Sequence, residues 1–217
     1  MNVLNLGSCQ SVLVLAPHTD DGEFGCGGTI AKLIEMRKKV HYVAFSKCEK
    51  SLPKNENPNL LVKELMQATN KLGISPDYVI VKGFEVRCFE RDRQEILEML
   101  VQLEHEIHPQ LVLLPSPNDL HQDHHTVAME GLRAFKRSST ILGYEMPWNN
   151  LSFSPTAFVC LKEEHISKKI DALKCYESQK SRFYASADVV RSLAVTRGAQ
   201  IGMKYAETFE VLRWIIE

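Results

Sequence analysis

The 217-residue chain has no C-x-x-C pair, no long apolar run and no excess of charge of either sign, and each absence excludes a class. Its six cysteines, at 9, 26, 48, 88, 160 and 175, stand singly, which argues against a thiolate zinc cluster and a disulfide framework. They read as reduced, mostly buried thiols. A net charge of −1 leaves no footprint for nucleic acid or an anionic membrane. The apolar stretch Ser11–Ala16 is too short for a membrane span, and MNVLNLGSCQ lacks the basic segment of a secretory signal. The expectation is a cytoplasmic chain without an integral membrane segment. There are no repeats and no low-complexity tract.

What is present is a regular alternation of short apolar runs and stretches of helical period. Ser11–Ala16 is apolar nearly throughout, which predicts a strand covered on both faces. Ile30, Leu33 and Ile34 begin a helical stripe after Gly27-Gly28-Thr29, and Val40–Phe45 is the next strand. Leu61, Leu65, Ala68, Thr69 and Leu72 mark a second helix that Gly73 closes. Asp77–Lys82 and Gln110–Pro115 read as strands on either side of a helix through Ile96 and Ile107, and another helix begins near Asp123. Strands at Ile141–Met146 and Thr156–Leu161, helices through Ile166–Leu173 and Val190–Ile201, and a final strand at Thr208–Ile215 complete the pattern. This predicts an α/β fold, a Rossmann-like, mostly parallel sheet with helices on both faces. With no domain boundary evident, residues 1–217 are expected to form one domain. The polar stretch Lys50–Asn59 is expected to be a mobile loop.

Ligands in such sheets bind at the carboxyl ends of the strands. Two polar clusters fall there: APHTDDGEF (16–24) after the first strand and PSPNDLHQDHH (115–125) after the fourth. Carboxylates this close repel and are costly to bury unpaired, so either water or a cation covers them. Imidazole mixed with carboxylate suits zinc or iron, whereas carboxylates alone would suit magnesium or calcium. If His18, Asp21 and one histidine of the second cluster bind one ion, an open position remains for water, whose pKa zinc lowers towards about 7. Asp20 is then free to accept a proton, His121 to donate to an oxyanion or leaving group, and Asp123 to hold a histidine tautomer. The bland alternative makes each cluster a solvated loop, with Asp123 capping a helix and Asp20 or Asp21 a turn. Two clusters at two strand ends favour the metal. His125 reads as a helix-face residue, and His41, His105, His108 and His165 as structural or exposed.

Two other readings fit less well. Gly25-Cys26-Gly27-Gly28 resembles a dinucleotide fingerprint, but G-x-G-x-x-G would need glycine where Ile30 stands. A two-histidine, one-carboxylate ferrous oxygenase leaves Asp20 without a role.

With those residues in view, the chain resembles the LmbE-like, or PIG-L, family of zinc-dependent N-acetylglucosaminyl deacetylases. Its first signature, roughly A-H-P-D-D-E-x-x-G-C-G-G-T, stands as Ala16-Pro17-His18-Thr19-Asp20-Asp21-Gly22-Glu23-Phe24-Gly25-Cys26-Gly27-Gly28-Thr29. Its second, H-P-D-H, stands as His121-Gln122-Asp123-His124. The resemblance implies His18, Asp21 and His124 as zinc ligands, Asp20 as general base, His121 as the oxyanion-stabilising or general-acid histidine, and Asp123 as its orienting partner. It implies amide hydrolysis of an N-acetylated, GlcNAc-like small molecule, with Zn2+ as cofactor and Fe2+ as the other candidate ion. The family's frequent trimers or hexamers imply a homo-oligomer, to which the aromatics Trp148 and Phe153 lend a little weight.

The chain departs from the pattern at Thr19, at Gly22-Glu23, and at Leu61-Val62-Lys63-Glu64, where an arginine–glutamate pair often contacts substrate. Arg87 and Glu145, near predicted strand ends, are candidate sugar contacts. The alternatives are a metal-dependent amidase of another acylated amine or a mycothiol-type conjugate, and a metal- or nucleotide-binding module without turnover.

Overall fold

A computed structural model describes residues 9–215. Residues 1–8 of the stretch read for targeting, and the last two positions of the expected 1–217 domain, lie outside the described residues. The strands are β1 (Ser11–Ala16), β2 (Lys39–Ala44), β3 (Val79–Val81), β4 (Leu111–Pro115), β5 (Thr140–Tyr144), β6 (Ala157–Leu161) and β7 (Tyr205–Arg213). The helices are α1 (Asp21–Glu35), α2 (Leu60–Leu72), α3 (Arg93–Ile107), α4 (Gln122–Phe135), α5 (Glu163–Leu173) and α6 (Ala187–Ala199). One sheet takes the order β3-β2-β1-β4-β5-β7-β6. β1 to β5 pair in parallel, and β7 runs antiparallel to β5 and β6. The expected α/β architecture with a mostly parallel sheet is what forms.

Alternation along β1 shows why both faces are covered. Val12, Val14 and Ala16 enter a core shared with residues of α1, α2, α5 and α6. Leu13 and Leu15 point the other way, into a core shared with α3 and α4. A strand buried on both sides has no polar position to spare, hence its continuous apolar run.

Some boundaries differ from the sequence reading. The strand expected at Asp77–Lys82 shortens to Val79–Val81 because Pro76 opens a 3-10 turn, Pro76–Tyr78. The last strand starts earlier, at Tyr205. All six cysteines are free, as expected, but only Cys26 and Cys48 are buried, and burial pushes the Cys48 thiol up to about 12.

The largest difference is in α1, which starts at Asp21 rather than after the glycines and breaks at Cys26 (φ −146°, ψ 23°). A Cβ on Gly22 would lie 2.5 Å from the Tyr42 ring, and one on Gly25 would lie 2.2 Å from that of Tyr144. The glycines that hide the helical period are therefore what let the first turns of α1 lie against the sheet.

The order of strands places the site. β2 and β3 extend from one side of β1, β4 and β5 from the other, so β1 and β4 are neighbours at the reversal point. Their carboxyl ends bring residues 17–24 and 116–125 together, although about a hundred residues separate them in sequence.

Candidate metal centre

His18 lies in the turn between β1 and α1, and Asp21 in the first turn of α1. His124 is in the first turn of α4, whose N-cap is His121: its Nδ1 accepts the Asp123 N–H at 3.2 Å. The cap is therefore His121 and not Asp123, as the bland alternative had it.

His18 Nδ1 is 3.2 Å from His124 Nε2 and 3.2 Å from Asp21 Oδ2, and His124 Nε2 is 3.2 Å from the same Asp21 oxygen. Three donor atoms thus form a nearly equilateral triangle. Ligands at ~2.0–2.1 Å around a tetrahedral ion are about 3.3 Å apart, so the triangle fits one first-row divalent ion with a position left open. His18, His121 and His124 also form a group able to hold a metal, with donor atoms within 4.8 Å of one another. That spread is wide for ligands sharing a tetrahedral ion, and the Asp21-containing set is the tighter fit.

Each candidate ligand is fixed from behind. Asp123 Oδ2 lies 3.0 Å from His18 Nε2, so His18 donates there and, when neutral, turns its Nδ1 lone pair into the triangle. His124 donates from Nδ1 to Asp119 Oδ2 at 2.8 Å and turns Nε2 inward. Asp21 Oδ2 also accepts the His18 N–H at 2.8 Å.

The charges answer one another. Burial opposes protonation of His18, but Asp21 and Asp123 outweigh it and lift its pKa to about 8. His124 is lifted to about 10 against burial, by Asp21 and Asp119. Burial would raise the Asp21 carboxyl, yet the two histidines hold it well below the carboxylate range. Asp20 goes the other way: burial, then the charge of Asp21, raises it, opposed by Arg182, whose Nη1 is 3.3 Å away. Two adjacent carboxylates are thereby driven apart, Asp21 downwards and Asp20 upwards.

His121 stacks over His124 with ring centroids 4.8 Å apart, and its pKa is lowered, first by burial. With Nδ1 accepting a backbone N–H, the neutral ring carries its hydrogen on Nε2. Asp123 corrects an expectation here. Its carboxylate is 4.0 Å from His121 Nδ1, and it is committed instead to His18 and to the N–H groups of Arg87 at 2.6 Å and Phe89 at 3.3 Å. It orients His18, and only its backbone orients His121.

Arg87 has its backbone against the site, in the left-handed region at φ 68°, with an exposed side chain. Glu145 does not face the site. Both its oxygens pair with Arg197, and one also accepts Thr208 Oγ1 at 3.0 Å, so its carboxylate is spent between β5, α6 and β7. The position after a strand end was right and the direction of the side chain was not. His125, as expected, lies off the site, with Nδ1 at 2.9 Å from the Pro117 carbonyl, and His165 pairs with Glu35.

Two residues escaped the sequence reading. Asp119 lies within the second cluster, five positions before His124, and that spacing was the available signal. Arg182 arrives from the far end of the chain, with no local signal at all.

Residues 13–135 match the profile of the PIG-L family, described as GlcNAc-PI de-N-acetylase. The chain is 28% identical over 175 residues to the uncharacterized deacetylase YaiS of Escherichia coli, covering 78% of this chain and 91% of the relative. It is 25% identical over 222 residues to diacetylchitobiose deacetylase of Thermococcus kodakarensis, covering 91% of this chain and 81% of that one. Its fold matches the N,N'-diacetylchitobiose deacetylase of Pyrococcus horikoshii with a TM-score of 0.80 at 21% identity, over 95% of this chain and 85% of that one.

Proposed function

Because this chain belongs to the PIG-L family, we propose that it hydrolyses the N-acetyl group of a GlcNAc-like sugar or sugar conjugate, releasing acetate and a free amine. Relatives named as deacetylases support the reaction class. The observation that carries the reading is the 3.2 Å triangle of His18, Asp21 and His124 donor atoms, with Asp20 beside it. We assign the metal to these three residues and take zinc as the ion, with Fe2+ the other candidate that the donor set suits.

When bound, such an ion polarises the amide carbonyl and acidifies water. The rest belongs to this chain's own groups. Asp20 takes the proton of the attacking water, for which a buried carboxylate with a raised pKa is suited. His121, donating from Nε2, stabilises the tetrahedral oxyanion. Breakdown then needs a proton on the sugar nitrogen, and Asp20 returns the one it has taken. Asp123 and Asp119 hold His18 and His124 in the tautomers the ion requires.

The test separates Asp20 from Asp21. Asp20→Asn keeps the shape and loses the base, so metal content by elemental analysis should stay near one ion per chain. Turnover on N-acetylated sugars should fall roughly 100- to 10,000-fold, mainly in kcat. Asp21→Ala should lose the metal together with the activity. Loss of metal in Asp20→Asn, or retention of more than about a third of kcat, would overturn these roles.

A further inference from the structure

A pocket of about 350 Å3 opens beside the site, walled by Phe24, Trp148, Tyr184, Val190, Leu193 and Thr196. Two elements tie it to Asp20. The Phe24 N–H donates to the Asp20 carbonyl at 3.1 Å, one helical turn, which puts Phe24 on the Asp20 face of α1 about 5–6 Å further along. Arg182, 3.3 Å from the Asp20 carboxylate, has its guanidinium carbon 5.8 Å from the Tyr184 ring centre. What fills the pocket is therefore close enough to be joined to what reacts at Asp20.

The walls state the occupant's chemistry. Trp148 and Tyr184 stack with centroids 4.2 Å apart and planes 14° from parallel, and Phe24 meets both edge-on at 5.3 and 5.5 Å. Of the polar residues in the lining, Asp188 and Ser192 lie exposed on α6, and the other two are already used. Lys169 Nζ donates to the Phe24 carbonyl and to Glu207, both at 2.7 Å, and Thr196 Oγ1 donates to the Ser192 carbonyl at 2.8 Å. A second pyranose would bring hydroxyls against a wall that, apart from the exposed Asp188 and Ser192, offers no free side-chain partner, at a desolvation cost. A flat apolar ring needs none and gains from the flat aromatic wall. The volume is near the low end of ligand pockets, ~300–1,000 Å3, enough for one ring system and its linker.

We propose that this pocket is an aglycone subsite, taking a planar apolar group attached to the N-acetylated sugar. The proposal rests on the deacetylase reading of the adjacent site. The experiment is isothermal titration of the full chain with methyl, phenyl and octyl N-acetyl-β-D-glucosaminides, with acetate release measured on the same three.

The phenyl glycoside should bind about tenfold or more tighter than the methyl glycoside. Trp148→Ala should reduce that preference to about twofold or less. Ser192→Trp, which fills the pocket from an exposed position on α6 and removes nothing from the core, should do the same. A phenyl preference that survives both variants would place the aglycone elsewhere and overturn the subsite. An octyl glycoside that outbinds the phenyl one would overturn the planar occupant. Acetate release without any preference overturns the subsite and leaves the deacetylase reading standing. Preference that both variants abolish, without acetate release, overturns the deacetylase reading and supports the pocket.

Discussion

Asp119 touches no expected reactant, yet it sets the direction of a candidate ligand. Its Oδ2 accepts the Nδ1–H of His124, and its Oδ1 accepts the His121 backbone N–H at 2.8 Å, so one carboxylate holds His124 and His121 of the second cluster. Removing such a partner commonly weakens metal affinity about 10- to 100-fold. Asp119→Ala should do so in a chelator competition, and Asp119→Asn should lose less because an amide oxygen can still accept. Unchanged affinity in Asp119→Ala would mean that His124 is held, or used, in some other way. At this scale the sequence spoke unevenly. His18, Asp20, Asp21, His121 and His124 were legible because a buried apolar run ending in clustered polar groups has few physical explanations. The hydrogen-bond partner of each was not, since Asp123 reaches His18 across 105 positions and Arg182 reaches Asp20 across 162. Glu145 marks the limit: strand-end position could be read, but side-chain direction depended on Arg197 and Thr208.

The break in α1 shows how elements outside the site hold it in place. A helix interrupted at Cys26 leaves orphan backbone groups on both sides. Glu207 of β7 accepts the Gly28 and Thr29 N–H groups at 2.9 and 2.6 Å, and Lys169 of α5 caps the Phe24 carbonyl while pairing with Glu207. This buried pair splints the two halves of α1 and so fixes the turns that carry Asp20 and Asp21. Glu207→Ala would strand a buried ammonium and two N–H donors, a loss of about 3–5 kcal/mol in urea unfolding. Glu207→Gln, which keeps an acceptor for α1, should cost less. An alanine variant within about 1 kcal/mol of the parent would mean that α1 keeps its break without the splint. None of this could be read from residues 21–35 alone, because glycines chosen for close approach to Tyr42 and Tyr144 erase the periodicity that announces a helix.

For the whole molecule the decisive fact is that β1 and β4 are neighbours. Strand–helix alternation made the parallel sheet legible, since parallel neighbours need a helical crossover. The antiparallel placement of β7 between β5 and β6 had no such signature, and it is what brings Glu207 and Glu210 inward from the end of the chain. Adjacency of β1 and β4 also makes the candidate metal a cross-link. His18 and Asp21 follow β1, His124 follows β4, and an ion shared by the three binds the folded chain far better than the unfolded one, where these groups lie about a hundred residues apart. Free ion at about 100 times its dissociation constant should add about 2.7 kcal/mol, which for a chain of this size raises the melting temperature by roughly 5–10 °C. Thermal melts with zinc and with excess chelator measure the difference directly. It should vanish in His124→Ala and in His18→Ala, each of which cuts one strand's hold on the ion. It should persist in His105→Ala, whose imidazole is on α3, outside the triangle. A zinc-dependent gain undiminished in either ligand variant would place the ion elsewhere, and the junction of β1 and β4 would then be held by protein contacts alone.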